Sequence, residues 1–338
     1  MLSRLSRNRS IKHNVFNISR RKINSDITIH YINNGRGLTT DKEVLETLLL
    51  EKGFKVESIN GRDPRFYHQK LHIFLEILPP ISSSYNNNSQ QCLLIPNLEW
   101  INSEQAKQIT QYQYPLLAKT EYGFKVLSKT FPHNKISYLP WISTLEERDL
   151  TLAKEPILLH VSGPQAAFDL KNTREVINVF NNVKNLTLII KTAGVKKPHN
   201  LNPKIKWINE YYTKKELEAL ITSAQYIIQP SKTEGFGHCI YEPMTWGKPI
   251  ITLDAQPMNE LVSKERGFLV PSNPTKSYLG LIPENRINRE YNITKLLDSL
   301  PNIDSQEYLN LCQNSHLFTR ERVKFFKENF TETLYLKD

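Results

Sequence analysis

The stretch Ser231–Gly247, SKTEGFGHCIYEPMTWG, places two glycines between two glutamates, directly after an apolar segment. Residues 224–230 before it read AQYIIQP and residues 248–254 after it read KPIITLD, and both are typical of short buried strands. The quoted stretch is therefore predicted to be a loop and a short helix between two parallel strands. Such alternation of strand and helix indicates an α/β fold.

The residue types in this loop indicate a ligand that carries both phosphate and hydroxyl groups. Gly235 and Gly237 would allow the backbone to approach a ligand closely, and the amide groups at a helix start attract phosphate. The carboxylates of Glu234 and Glu242 would repel phosphate but accept hydrogen bonds from hydroxyl groups. A phosphate with hydroxyl groups on both sides is a nucleotide sugar. The alternative stays open, because glycine loops of this kind also occur in α/β proteins that bind nothing there.

The rest of the chain extends the same pattern on both sides. Alternating strands and helices predict one domain over residues 26–142, and the pattern restarts at Pro156 after a polar linker over residues 143–155. Thr213 and Glu216 form a predicted capping box at one helix start. The predicted fold is α/β, with two Rossmann-like doubly wound domains that face a cleft. Ligands of such sheets bind at the carboxyl ends of the strands. The remaining ranges are 156–310 for the nucleotide-sugar domain and 311–338 for C-terminal helices that return to the N-terminal domain.

Charge is concentrated at the N-terminus. The 338 residues carry a formal charge of +10, and residues 1–25 hold seven Lys or Arg and no acidic residue, which leaves about +3 elsewhere. The sequence therefore predicts no nucleic-acid partner for the folded part. We interpret residues 1–25 as a disordered basic arm, with contact to an anionic membrane surface or a partner, or an organelle transit peptide, as alternatives. Three widely spaced cysteines predict reduced thiols, no metal site and a cytoplasmic protein that is at most peripheral to a membrane.

Several motifs together resemble a known enzyme family. SKTEGFGHCIYEPMTWGKPII resembles the E-x7-E signature of the retaining GT-B glycosyltransferases of family 4. DAQPMNELVSKERGFLV resembles the segment that follows this signature, and ILLHVSG with LKNT resembles the first C-terminal strand and its diphosphate loop. Residues 155–271 carry most of the resemblance. Residues 26–142 share the layout, together with GLTTDKEVL and IPNLEW.

The resemblance implies roles for individual residues. Glu234 would hold the donor sugar and Lys171 would pair with the diphosphate, so these two are the expected catalytic residues. Lys191 is the alternative cation, because Pro164 and Asn172 replace residues that the family often has near this loop. Glu242 would bind the ribose. The other expected donor-binding residues are Gly35, Gly37, Gly163, Gly235, Phe236, Gly237, Met258, Asn259 and Glu260.

Three further residues are candidates for the acceptor side: Asn97 and Glu99, which follow an N-terminal strand at the cleft, and His238 after the glycine loop. For Asn97 and Glu99 a simple turn is an equal alternative, and His238 is also interpreted as a packed helix residue. The resemblance thus implies a retaining hexosyltransferase, and the absence of an Asp-x-Asp pair at a strand end agrees with a metal-independent reaction. Its donor would be a UDP- or GDP-linked sugar, its acceptor a glycan, protein or other hydroxyl, and it would need no cofactor. A catalytically silent scaffold that binds sugar or partner proteins and a sugar phosphorylase of the same fold are the alternatives.

Overall fold

A computed structural model gives the fold of the chain. It describes residues 26–33, 37–61, 71–79, 91–162, 169–181, 183, 186–287 and 290–334. The predicted arm over residues 1–25 lies outside this part of the chain, so its proposed contact with an anionic surface stays a prediction. Within the described ranges, no helix combines the length and the apolar character that crossing a bilayer requires.

The N-terminal domain is built on a six-stranded parallel sheet in the order β2-β1-β3-β4-β5-β6. Its inner strands are short, mostly apolar and almost entirely buried, as expected for a parallel sheet covered on both faces. The strands are β1 (Ile27–Tyr31), β2 (Val56–Asn60), β3 (Leu71–Leu75), β4 (Cys92–Ile95), β5 (Leu116–Ala118) and β6 (Ile136–Tyr138). The helices are α1 (Gly37–Glu51), α2 (Ser103–Tyr112) and α3 (Glu121–Thr130), with a 3-10 turn at Leu98–Trp100.

The C-terminal domain has a seven-stranded sheet in the order β13-β12-β11-β10-β7-β8-β9. All neighbours are parallel except β12 and β13, which form an antiparallel hairpin. The strands are β7 (Ile157–Val161), β8 (Thr187–Thr192), β9 (Ile205–Asn209), β10 (Tyr226–Ile228), β11 (Ile250–Asp254), β12 (Gly267–Leu279) and β13 (Ile282–Ile287). The helices are α4 (Thr173–Phe180), α5 (Lys214–Ser223), α6 (His238–Met244), α7 (Met258–Leu261), α8 (Glu290–Asp298) and α9 (Gln306–Thr333).

These two sheets confirm the predicted fold class of two doubly wound domains. The predicted capping box is also present, with Thr213 and Glu216 bonded reciprocally at the start of α5. The β12–β13 hairpin extends beyond the single strand that the residues GFLVP predicted. The predicted boundary between residues 310 and 311 falls inside α9, which begins at Gln306 because Ser305 caps it.

The C-terminal helix α9 and the predicted linker both pack against the domains. Arg322 of α9 donates to the carbonyl of Trp141 at 2.8 Å, and Phe326 makes an edge-to-face contact with the Trp141 ring at 5.4 Å. Within residues 143–155, Arg148 lies over the ring of Trp246 at 3.6 Å. The segment that joins the domains therefore follows a fixed path.

The β12–β13 hairpin reaches across to the N-terminal domain. Its tip donates from the Leu281 amide to the Leu98 carbonyl at 2.9 Å. The next residue, Ile282, is 1% exposed and belongs to the apolar cluster that contains Phe74 and Leu116 of the N-terminal sheet. A residue of the second domain therefore completes the core of the first.

The tip of this hairpin requires glycine at residue 280. Gly280 has φ +59, and an added Cβ would lie 2.2 Å from the Leu98 carbonyl oxygen. We expect Gly280→Ala to lower the free energy of unfolding by about 2–3 kcal/mol, since it adds both backbone strain and a steric clash. Chemical denaturation measures this. Gly53→Ala is the matched control, because Gly53 also has positive φ but has no atom within 4 Å of the added Cβ. An equal decrease in the free energy of unfolding in both variants would show that the clash with Leu98 adds nothing to the backbone strain.

Candidate active site

The two domains present their functional side chains at the points where strand order reverses. In the C-terminal sheet the order reverses between β7 and β10, which pair in parallel. In the N-terminal sheet it reverses between β1 and β3. Loops that follow such strands diverge and leave a crevice at the carboxyl edge of the sheet. Lys171 and Glu234 follow β7 and β10, while α1 and Glu76 follow β1 and β3.

Lys171 and Glu234 form an ion pair in the cleft. The Lys171 ammonium donates to Glu234 Oε1, and the two side chains are 26% and 11% exposed. The loops that carry them are tied together, because the amide of Lys232 donates to the carbonyl of Leu170 at 2.8 Å. The carboxylate of Asp169 accepts from the Thr173 amide at 2.7 Å and so fixes the turn before α4. The two residues that the sequence predicted as catalytic are therefore brought together.

The ion pair fixes the charge of both groups. Burial acts to raise the pKa of Glu234, but the charge and hydrogen bond of Lys171 outweigh it and hold that pKa below its usual range. Burial acts to lower the pKa of Lys171, yet Cys239 and Glu234 raise it above its usual range. Burial and the Glu234 charge raise the pKa of the Cys239 thiol to about 12. The cleft thus holds a carboxylate, an ammonium and a neutral thiol within hydrogen-bonding reach of each other.

The glycine loop lies against the N-terminal domain. A Cβ added at Gly235 would lie 2.5 Å from Asn97 Cγ and 2.7 Å from Glu99 Oε1, so a larger residue here would displace these side chains. Gly237 has φ +103, a left-handed conformation, and precedes α6. Phe236 is buried. The predicted acceptor-side residues Asn97 and Glu99 are therefore direct neighbours of the predicted donor loop.

His238 joins the domains through a buried polar network. Its Nε2 donates to Asp41 Oδ1 at 2.9 Å, and its Nδ1 lies 2.8 Å from the Ser143 hydroxyl. Asp41 also accepts from Trp141 Nε1 at 2.5 Å and from Lys119 Nζ at 2.8 Å, and the Asp41 and Lys119 side chains are 1% and 2% exposed. Both ring nitrogens of His238 therefore have partners within the protein.

Glu242 lies further along the cleft, on α6. Its carboxylate is 3.7 Å from a guanidinium nitrogen of Arg148, and it is 31% exposed. Arg148 also bonds Glu218 at 3.2 Å and Thr245 at 3.1 Å. Glu242 therefore keeps free surface toward the cleft while Arg148 fixes its position.

Four predicted donor-binding residues do not line the cleft. Lys191 Nζ donates to the carbonyls of Thr192 at 2.8 Å and Glu210 at 2.5 Å. Glu260 accepts from two backbone amides at the start of α3, at 2.6 and 2.8 Å, and so joins the domains instead. Met258 is fully buried and Asn259 donates to Asp254 at 2.9 Å. Gly35 and Gly163 lie outside the described residues, and Gly37 lines the cleft at the start of α1.

A cavity of about 890 Å³ joins these groups. Both domains line it, and it contacts Lys171, Glu234, Glu242 and the glycine loop on one side and Asn97 and Glu99 on the other. In the described part of the chain, no three His, Cys, Asp or Glu side chains gather as metal ligands.

The sequence interpretation missed several cleft residues. Glu76 follows β3 directly, so its place at a strand end could have indicated it. It has φ +59, which is unusual for glutamate, and burial raises its pKa to about 7. Trp100 was interpreted as a packing residue but is 43% exposed and lines the cavity. Cys239, interpreted only as a reduced thiol, contacts the ion pair.

Solved structures with the same architecture identify this arrangement of domains. HepE from Anabaena, in complex with UDP and glucose, has a TM-score of 0.62 at 12% identity, over 92% of this chain and 99% of that chain. Sucrose-phosphate synthase from Thermosynechococcus elongatus has a TM-score of 0.64 at 14% identity, over 92% and 96%. The fold is GT-B.

The GT-B architecture extends to longer proteins as well. The GtfA/B complex has a TM-score of 0.59 at 14% identity and covers 78% of this chain, but this chain spans only 57% of that one. Residues 168–284, about a third of the chain, match the family model described as glycosyl transferases group 1. That segment holds Lys171, Glu234 and Glu242 of the GT-B cleft. The chain matches none of the curated proteins with which it was compared.

Proposed function

We propose that this protein transfers a hexose from a UDP- or GDP-linked donor to a hydroxyl acceptor, with retention of anomeric configuration and without a metal ion. The observation that carries the proposal is the Lys171–Glu234 pair beside the glycine loop, at the carboxyl edge of the C-terminal sheet. The group 1 match over residues 168–284 supports a glycosyltransferase domain. The UDP and glucose named for the HepE structure support a nucleotide-sugar donor.

The polar groups of the cleft suit the two ends of such a donor. An ionised Glu234 accepts charge-assisted hydrogen bonds from sugar hydroxyls. Lys171 can bind the diphosphate and stabilise the negative charge that develops on it as it leaves. Glu242, which remains partly exposed, would accept bonds from the ribose hydroxyls. The cavity of about 890 Å³ has room for these groups and for an acceptor.

The proposed reaction exchanges one bond for another at the anomeric carbon. The bond from this carbon to the phosphate oxygen breaks, and its electron pair leaves with the nucleoside diphosphate. The acceptor oxygen forms a bond to the same carbon on the face from which the phosphate departs. The acceptor proton passes to the leaving phosphate oxygen, so no protein base is required.

A donor panel tests this proposal. UDP- and GDP-linked hexoses are incubated with the protein, and the nucleoside diphosphate released is measured with water alone and with an added acceptor for the sugar. Melting temperature is recorded with each donor, because a donor present at 100 times its Kd stabilises the fold by about 2.7 kcal/mol. A donor that raises the melting temperature without release of product would favour the silent scaffold. Phosphate-dependent cleavage of a glycan to sugar 1-phosphate, without use of a nucleotide-linked donor, would favour the phosphorylase.

Activity is expected to persist in excess EDTA. Lys171 supplies a positive charge at the place where the diphosphate is proposed to lie, and the sequence has no Asp-x-Asp pair at a strand end. Turnover should change by less than about twofold when EDTA is added, since an ammonium can neutralise a leaving phosphate. Initial rates with EDTA, and with Mg²⁺ or Mn²⁺ restored, measure this. Activity that EDTA abolishes and a divalent cation restores would contradict metal independence.

A further inference from the structure

The N-terminal side of the cleft carries polar groups that have no partner within the protein. Glu99 is 9% exposed, and its Oε2 is buried with no hydrogen-bond partner. Asn97 Oδ1 is also buried without a partner. Unpaired buried polar atoms are costly, and at a cavity wall they indicate the position of a ligand. We refer to the cavity-lining residues Glu76, Asn97, Glu99 and Trp100 as the acceptor wall.

The acceptor wall meets the donor loop at close range. Glu99 Oε1 and Asn97 Cγ lie 2.7 and 2.5 Å from the position of a Cβ at Gly235. A group bound to the wall is therefore beside Glu234, which is proposed to hold the transferred sugar. The 3-10 turn that carries Glu99 and Trp100 is fixed from behind by the hydrogen bond from Leu281 to Leu98.

The charges of the wall limit what it can bind. Burial raises the pKa of Glu99 to about 8 and that of Glu76 to about 7, so at neutral pH Glu99 is mostly protonated and Glu76 is only partly ionised, and both attract a cation less than a fully ionised carboxylate would. An anionic acceptor would lie next to ionised Glu234, and the nearby Lys119 is already paired with Asp41 at 2.8 Å. Neutral molecules with several hydroxyl groups suit these carboxyl and amide oxygens best.

The exposed aromatic ring favours a cyclic sugar over other polyols. Trp100 is 43% exposed and lines the cavity beside Glu99. A pyranose has an apolar face of C–H groups, and covering that face with an indole removes apolar surface from water. Resting on the proposed glycosyl transfer, we infer that the acceptor is a neutral sugar whose ring lies on Trp100 and whose hydroxyl groups bond to Asn97, Glu99 and Glu76.

The test compares acceptors that differ in charge and in chemical class. Methyl glucoside, maltose, glucose 6-phosphate, glucosamine and a serine-containing peptide are supplied with the donor that the panel selects. We expect a neutral sugar to have at least tenfold higher kcat/KM than the charged sugars and the peptide. Trp100→Ala should raise the KM for that sugar about tenfold, at least five times more than it changes the donor KM, and Trp100→Phe should recover most of the loss. Phe325→Ala is the control, because Phe325 is 47% exposed on α9 and lies outside the cavity lining.

A binding measurement separates this inference from the proposed reaction. Saturation-transfer NMR of maltose and glucose 6-phosphate, with UDP present, reports acceptor binding even if no donor is turned over. Maltose signals that weaken in Trp100→Ala but not in Phe325→Ala would support the acceptor wall. The inference would be overturned in the NMR experiment by stronger signals from glucose 6-phosphate than from maltose, by no binding of a neutral sugar, or by no effect of Trp100→Ala. In the kinetic experiment it would be overturned if a charged or peptide acceptor had the highest kcat/KM.

Discussion

Glu234→Gln is expected to lower kcat by about 100- to 1,000-fold, the loss typical when one preorganised hydrogen-bonding group is removed from an active site. The substitution keeps the shape of the side chain but removes its charge. The amide would accept weaker hydrogen bonds from the hydroxyl groups of the proposed donor sugar, and Lys171 would lose its counterion. Steady-state kinetics with the donor selected by the panel measure the effect.

Two further variants show whether this loss is specific. Glu121→Gln removes a carboxylate that pairs with Lys125 on the surface, where both side chains are more than half exposed, and it should leave turnover within about twofold. Lys171→Met should reduce kcat as strongly as Glu234→Gln. The fold reduction in kcat of the double variant should be smaller than the product of the two single reductions, because the residues act as a pair. Turnover of Glu234→Gln near that of the unsubstituted protein would remove Glu234 from the reaction.

Asp41→Asn is expected to lower the free energy of unfolding by about 3–5 kcal/mol, because it leaves the buried Lys119 without a counterion. Asp41 accepts hydrogen bonds from Lys119, Trp141 and His238, so the loss affects both domains. The melting temperature should fall by about 10 °C. Lys119→Met is the partner variant. The double variant, Asp41→Asn with Lys119→Met, should lower the free energy of unfolding by less than the sum of the two single decreases. Additive losses would show that the two charges do not interact.

The same variant carries a pH signature with a definite sign. Burial acts to raise the pKa of Asp41, but Lys119 and His238 outweigh it and lower that pKa well below its usual value. A carboxylate of this kind stabilises the fold fully above the unfolded pKa of about 4 and loses that contribution as the pH falls below it. The stability difference between the unsubstituted protein and Asp41→Asn should therefore be largest near pH 7 and shrink in acid.

The sequence could predict the parts of the site that depend on strand ends. Glu234 and Lys171 follow β10 and β7, and in a doubly wound sheet loops at these positions must lie at one edge. Asn97 and Glu99 were placed by the same reasoning after β4. The alternation of apolar and polar segments also sufficed for the two-domain fold, because buried parallel strands have few other interpretations.

The sequence could not predict contacts that depend on tertiary position. Lys191 ends a strand beside β7, but its long side chain turns back to two backbone carbonyls, which no local pattern indicates. Glu260 caps a helix of the other domain, and its partners lie far away in the chain. Tryptophan is a residue type that often packs in protein cores, and only the geometry of the cleft shows that the Trp100 ring is exposed.

The docking of the β12–β13 hairpin also has a consequence for the order in which the chain folds during synthesis. Ile282 fills a position in the N-terminal core, so residues 26–142 cannot reach their final packing when they leave the ribosome. N-terminal domains generally fold first as they emerge, but here the first domain must wait for a residue made 140 positions after its own sequence ends. During that interval the apolar cluster that contains Phe74 and Leu116 lacks Ile282, so the nascent form of the domain exposes apolar surface to which a chaperone can bind.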